Sequence, residues 1–167
     1  MKNLEFTIRI AETEDAEKIY HLLYDVGDED VYIMTEPGER TIEDIRTLIR
    51  EQSTNRNLIL VVESYGDVVG VAGFVGGRFS KICHVVEIGM AIDKDFRDSG
   101  LGSILLREGI AWARKKGFRR LELGVFSTNQ RALSLYKKFG FQEEGVRRNR
   151  YRVEGTWVDE ILMAKFL

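Results

Sequence analysis

Residues 95 to 106 read Asp-Phe-Arg-Asp-Ser-Gly-Leu-Gly-Ser-Ile-Leu-Leu and join the longest strand-like run, Ile82 to Ile92, to the longest central helix-like run, Ser99 to Lys116. This junction constrains the fold more than any other stretch. It sets a helix N-terminus, with its unpaired N–H groups and partial positive charge, at the end of a strand, and it carries Gly100 and Gly102 one residue apart. Glycines there let a second group come close to the backbone. That group is either a phosphate, for which Arg97 would add a charged fork, or a neighbouring piece of chain at a tight turn. The segment is not the longer dinucleotide fingerprint and has no P-loop lysine.

The rest of the chain mixes strands and helices without a low-complexity linker. Leu4, Phe6, Ile8 and Ile10 alternate with polar residues as in a half-buried strand. Thr13 to Val26 reads as a helix opened by Thr13, and a second helix starts near Thr41 with Ile42, Ile45, Leu48 and Ile49 on one face. Leu58 to Glu63 and Val68 to Val75 form a hairpin across Tyr65-Gly66-Asp67, and Ile82 to Ile92 follows as a third strand. After the helix that stops at Gly117 come a strand (Arg119 to Val125), a helix (Asn129 to Phe139, ended by Gly140) and two strands, Gln142 to Arg152 and Thr156 to Phe166. This order predicts a mixed α/β fold, a central sheet covered by helices rather than regular βαβ repeats.

Composition narrows the function. A chain of 167 residues fits one domain, 1–167, with a real core. The net charge of −2 gives no general attraction to nucleic acid or an anionic membrane, and no apolar run approaches the length that spans a bilayer. Cys83 is the sole cysteine, no signal-like segment opens the chain, and a cytoplasmic location is expected. His21 and His84 lie in different elements without metal-ligand spacing, so no metal is expected.

A second segment, Val125-Phe-Ser-Thr-Asn-Gln-Arg-Ala-Leu-Ser-Leu-Tyr-Lys-Lys-Phe-Gly-Phe, puts Asn129, Ala132 and Tyr136 on one side of a helix. Asn129 is then a helix cap or a cleft residue, and Tyr136 a core aromatic or a phenol facing that cleft. Taken together, the two segments resemble the GNAT superfamily of acetyl-CoA-dependent N-acetyltransferases. Arg97-Asp-Ser-Gly100-Leu-Gly102 matches the family's phosphate-binding signature, and Asn129, Ala132, Leu135, Tyr136, Lys137, Lys138, Gly140 and Phe141 match its downstream signature.

The resemblance implies a mostly antiparallel sheet of about seven strands, helices on both faces, and a splay between the fourth and fifth strands. Pantetheine would insert in that splay against Met90 and Ile92, with Ala91 between them. The amides of Arg97, Asp98, Gly100, Leu101, Gly102 and Ser103 are its candidates for the pyrophosphate. Asn129 would bond the pantetheine arm, and Tyr136 would stand beside the sulfur as proton donor. An attacking amine must lose a proton, the oxyanion needs an N–H, and the leaving thiolate needs a donor. Glu87 is the candidate base, or else a sheet-face residue in an ion pair; His84 and solvent are the other routes. No covalent enzyme intermediate is required, so Cys83 needs no catalytic part.

The acceptor is implied to be a small-molecule or peptide primary amine, framed by Tyr24 to Arg40 and Arg147 to Val158. The first segment holds Asp25, Asp28, Glu29, Asp30, Glu36 and Glu39 and suits a cationic amine; the second holds Arg147, Arg148, Arg150 and Arg152 and suits a carboxylate. The tail, with Tyr151, Gly155, Trp157, Asp159 and Met163, resembles branches that acetylate free amino acids, polyamines or ribosomal-protein N-termini. A non-catalytic acyl-CoA-binding regulatory domain, transfer of another acyl group, and a homodimer, common among such relatives, stay open.

Overall fold

The computed structural model describes residues 5–29, 39–54 and 56–167. Leu4, Asp30 and Glu36, each given a part above, lie outside the described residues. The strands are β1 (Thr7–Ile10), β2 (Asn57–Ser64), β3 (Asp67–Gly76), β4 (Val85–Ile92), β5 (Arg120–Phe126), β6 (Gln142–Val153) and β7 (Thr156–Phe166). They form one seven-stranded sheet in the order β1-β2-β3-β4-β5-β7-β6. Every neighbouring pair is antiparallel except β4 and β5. Among the described residues four α-helices complete the fold: α1 (Ala16–Asp28), α2 (Ile42–Arg50), α3 (Leu101–Lys115) and α4 (Gln130–Lys138). The mixed, mostly antiparallel architecture expected of the sequence is the one observed.

Strand alternation divides the core into two layers. Val86 and Ile88 of β4 and Ala72 and Phe74 of β3 pack with Leu101, Leu105 and Leu106 of α3, whereas Val71 and Ala91 face the opposite way onto Ile19 and Leu22 of α1 and Ile45 and Ile49 of α2. Both faces of the central strands are thus covered, which explains the near-continuous apolar run of β2. On the α3 side Gly109 allows a very close approach: a Cβ there would lie 1.9 Å from Cζ of Phe74. The β2–β3 turn uses positive φ at Tyr65 (50°) and Gly66 (85°), the backbone demanded by a two-residue hairpin.

Several boundaries differ from the sequence reading. α1 is preceded by a 3₁₀ turn at Thr13–Asp15, and its cap is a reciprocal pair between Glu12 and Asp15 rather than Thr13. Asp15 is buried there because Arg9 donates to both its oxygens, at 2.6 and 2.8 Å, which holds the carboxyl below its ordinary pKa. β4 starts at Val85, since Ser80–Ile82 forms a 3₁₀ turn, and α3 starts at Leu101. Ile10 is 57% exposed: β1 is one of the sheet's two edge strands, and its alternation does not give it a fully covered face.

The feature that positions the site is a gap. β4 and β5 pair only at Val85–Arg120, Val86–Leu121 and Glu87–Glu122, and beyond Glu87 the two strands part.

Candidate active site

Main-chain directions in β4 can be assigned residue by residue. The Val85 carbonyl accepts from Gly77, and the Asp93 N–H donates to Val69, so odd-numbered residues bond toward β3. The His84 carbonyl accepts from Arg119 and Arg120, so even-numbered residues face β5. Ile88, Met90 and Ile92 therefore turn their main-chain groups into the gap, where β5 no longer meets them. The Ile92 carbonyl is taken by Arg97 Nε at 2.9 Å, which leaves its N–H. Between Met90 and Ile92, Ala91 points its main-chain groups to Val71 of β3 and lines the cavity.

The loop after β4 is shaped by Asp98 (φ 60°) and Gly100 (φ 87°), both left-handed, which bring the chain round to the first turn of α3. Among the described residues, the N–H groups of Asp98, Gly100, Leu101 and Gly102 have no main-chain acceptor, whereas that of Ser103 donates to the Gly100 carbonyl and that of Arg97 to Lys94. The Arg97 side chain is paired within the protein. Its fork is bidentate with Glu29 at the end of α1, at 2.7 and 2.5 Å, and the side chain is only 11% exposed. This pairing holds the Glu29 carboxyl below the usual range. The two glycines also separate in role. A Cβ at Gly100 would meet nothing within 4 Å, but one at Gly102 would lie 3.0 Å from Leu135 Cδ2, so Gly102 accommodates α4.

Beside the gap, Asn129 caps α4 by accepting from the Ala132 N–H at 3.1 Å. That leaves its side-chain NH2 for another partner, so the cap and the cleft residue are the same residue. Gly140 ends α4 in the left-handed region (φ 84°) and turns Phe141 back, so that its N–H donates to the Tyr136 carbonyl and its ring packs edge-on to the Tyr136 ring at 5.5 Å. This accounts for the Tyr-Lys-Lys-Phe-Gly-Phe run: the glycine lets the following aromatic fix the tyrosine. Tyr136 is 6% exposed, and burial pushes its phenol up to about 12. Its hydroxyl has no hydrogen-bond partner among the described residues, and Tyr136 lines a cavity of about 410 Å³.

That cavity passes through the gap and unites the two sides of the sheet. On the α4 side it is lined by Met90, Asn129, Ala132 and Tyr136; on the α1–α2 side by Glu87, Gly89, Gly124, Tyr151 and Glu160, beneath Leu23 and Leu48. Its volume is in the range of about 300–1,000 Å³ common to small-molecule sites. Glu160, which the sequence reading did not single out, is a buried carboxylate that accepts from Tyr151 Oη at 2.7 Å and Arg147 at 2.9 Å. Burial and that carboxylate push the Tyr151 phenol up to about 12. Gly124 makes room for Glu160, because a Cβ would lie 2.2 Å from its Oε1. The conflicting acidic and basic cues are thus partly resolved inside the protein: Glu29 is used by Arg97, Arg147 by Glu160, and Arg152 lies over Trp157. Cys83, His21 and His84 are exposed and line no part of the cavity described. Among the described residues no helix is long and apolar enough to cross a membrane, and no cluster of three or more His, Cys, Asp or Glu is placed to hold a metal.

Comparison with known proteins agrees with this geometry. Residues 14–141 match the family model for the acetyltransferase (GNAT) family. An L-amino acid N-acetyltransferase, AaaT, of Escherichia coli (strain K12) is 30% identical over 96% of this chain and 98% of its own. The ribosomal protein bS18-alanine N-acetyltransferase of the same organism is 39% identical over 75 residues, 45% of this chain and 51% of that protein. A solved GNAT acetyltransferase from Streptococcus pneumoniae superposes with a TM-score of 0.90 at 30% identity, covering 98% of this chain and all 100% of that one. A ribosomal-protein-alanine N-acetyltransferase from Brucella melitensis gives 0.86 at 25% identity over 96% and 99%. The gap, the glycine loop and the buried phenol lie within the matched fold, and the chain belongs to the GNAT family, whose members are acetyl-CoA-dependent acyltransferases.

Proposed function

We propose that this protein acetylates the amine of an amino acid, free or at the start of a polypeptide, by direct attack on acetyl-CoA in a ternary complex within the β4–β5 gap. The observation that carries the reading is one cavity with the unpartnered hydroxyl of Tyr136 at one side of the gap and the Glu87 carboxylate at the other. The amino-acid class follows from the activity named for the full-length relative. Acetyl-CoA would supply the activated acetyl group, and the chain fits it: main-chain groups of Met90 lie open in the gap, and four amides beside α3 lack main-chain acceptors. Ala91 and Ile92 border this edge, Arg97 and Ser103 brace the loop, and Asn129 offers its NH2 to the pantetheine arm.

Glu87 takes the proton from the ammonium of the acceptor, directly or through water. The freed nitrogen pair forms the bond to the carbonyl carbon, and the oxygen that gains charge is held by the main-chain N–H of β4. As the C–S bond breaks, Tyr136 gives its proton to the departing sulfur, and the second proton that the acceptor nitrogen loses on becoming an amide restores the phenol. Burial suits it to that part, because a phenol raised to about 12 stays protonated at neutral pH. A cytoplasmic location, where acetyl-CoA is made and used, goes with this reading.

Thiol release from acetyl-CoA, followed with free amino acids, short peptides with free N-termini and spermidine, tests it. Amino-acid or peptide acetylation is the expected result. Acetylation of spermidine alone would overturn the acceptor class, and cofactor binding without acetylation of any amine would favour a binding domain.

A further inference from the structure

We infer that Gly73 and Gly89 form the floor of a pocket for the acceptor's side chain, and that the acceptor is a primary amine flanked by an apolar side chain, on a free amino acid or on the first residue of a polypeptide. This rests on the acetyl-transfer reading above and specifies its substrate.

The two glycines lie directly opposite each other on the adjacent strands β3 and β4, in the middle of the sheet. Glycine there weakens a strand, so a reason for it is needed. Backbone conformation gives none: neither residue has positive φ. Packing gives none either, since among the described residues a Cβ at either position would meet no atom within 4 Å. Nearby glycines behave differently: a Cβ at Gly70 would lie 3.0 Å from Val62, and one at Gly76 2.6 Å from the Arg56 carbonyl. What side chains at Gly73 and Gly89 would fill is the cavity itself, which both residues line.

The surroundings state what belongs there. Strand alternation places Gly89 on the same face as Glu87 and Ala91, so the floor begins one side-chain step from the candidate base. Above it stand the aliphatic side chains of Ile19, Leu23, Ile45, Leu48 and Ile49, with Ile59 beside it. The carboxylates, Glu87 and Glu160, are both toward the β5 side. The chamber therefore has an acidic end at the gap and a mostly aliphatic end under α1 and α2, where Arg40, just before α2, is the one charged side chain among the described lining residues. An ammonium followed by an apolar group matches both ends, whereas a polyamine would press a second ammonium against aliphatic walls without a partner.

The experiment measures kcat/KM for glycine, leucine, phenylalanine, their N-terminal dipeptides and spermidine with the full chain and with Gly89→Val and Gly73→Ala. Acetyl-CoA affinity and a thermal melt report on folding. The expected result is a preference for leucine or phenylalanine over glycine and spermidine, and a fall in the leucine-to-glycine ratio of tenfold or more in Gly89→Val, within the roughly 10–200-fold that pocket contacts of this size supply. Free amino acids against dipeptides decide which carrier is used. A preference for spermidine, or a Gly89→Val ratio equal to the parent's, overturns the pocket. Should no amine turn over, the reaction reading fails, and calorimetry of the same amines against the CoA-bound protein still decides the pocket: leucine binding that Gly89→Val abolishes supports it, and equal binding by both proteins refutes it.

Discussion

Gly100 caps α3 and Gly102 lies in its first turn, while Gly73 and Gly89 look toward α1 and α2 from the opposite face of the same sheet. Gly100 is demanded by its own backbone, at φ 87°, and Gly102 by Leu135 of the neighbouring helix. Among the described residues no backbone conformation or close neighbour demands Gly73 or Gly89. The first pair is explained by folding, with ligand space as a by-product; the second is explained only by what must be left empty. A glycine that costs stability and relieves no strain is the stronger sign of a bound partner.

Four substitutions probe that contrast. The largest effect is expected for Tyr136→Phe, which stands in the gap shared by both faces: kcat should fall by about 10²–10⁴-fold with every acceptor. A loss confined to one acceptor would move Tyr136 from the reaction to the acceptor pocket. The same phenol makes a pH prediction. Its folded-state value of about 12 is above the unfolded one of about 10, so the unfolded chain ionises first and stability should decline as pH rises from about 10 toward 12. In Tyr136→Phe that part of the alkaline decline should be absent.

Glu87→Gln should lower turnover at neutral pH by an amount near the lower end of that range, and the loss should shrink at high pH as more acceptor arrives as free amine. An equal loss at all pH values would leave Glu87 without a proton to take. Gly102→Val should cost about 1–3 kcal/mol of stability, because Leu135, Ile92 and Met90 leave no room. Gly73→Ala should act with the opposite sign, stabilising by about 0.5–1 kcal/mol while lowering activity on bulky acceptors. Thermal melts of these two variants side by side give the comparison directly, and a destabilised Gly73→Ala would break it.

Local physics made much of this legible in sequence. The glycines at 117 and 140 were readable because each ends a helix, Gly66 because it sits in a hairpin turn, and Tyr136 because Gly140 and Phe141 follow it at fixed spacing. Partnerships across the fold were not. Glu29 is 68 residues from Arg97, and no periodicity links the end of α1 to the loop after β4. Glu160 looked like one more polar residue of a solvated strand until β5 and β7 brought it against Gly124. The interior glycines of Val-Val-Gly-Val-Ala-Gly-Phe drew no assignment from sequence, because only register shows that Gly73 faces Gly89 rather than a bulky neighbour.

The central claim is that the unpaired edge of β4 receives the cofactor, and amide hydrogen exchange along β4 with and without acetyl-CoA tests it most directly. The Met90 N–H, which faces the gap with no strand to meet it, should slow markedly on binding, while that of Ala91, already bonded to β3, should change little. Saturating acetyl-CoA with no slowing at Met90 would contradict the account.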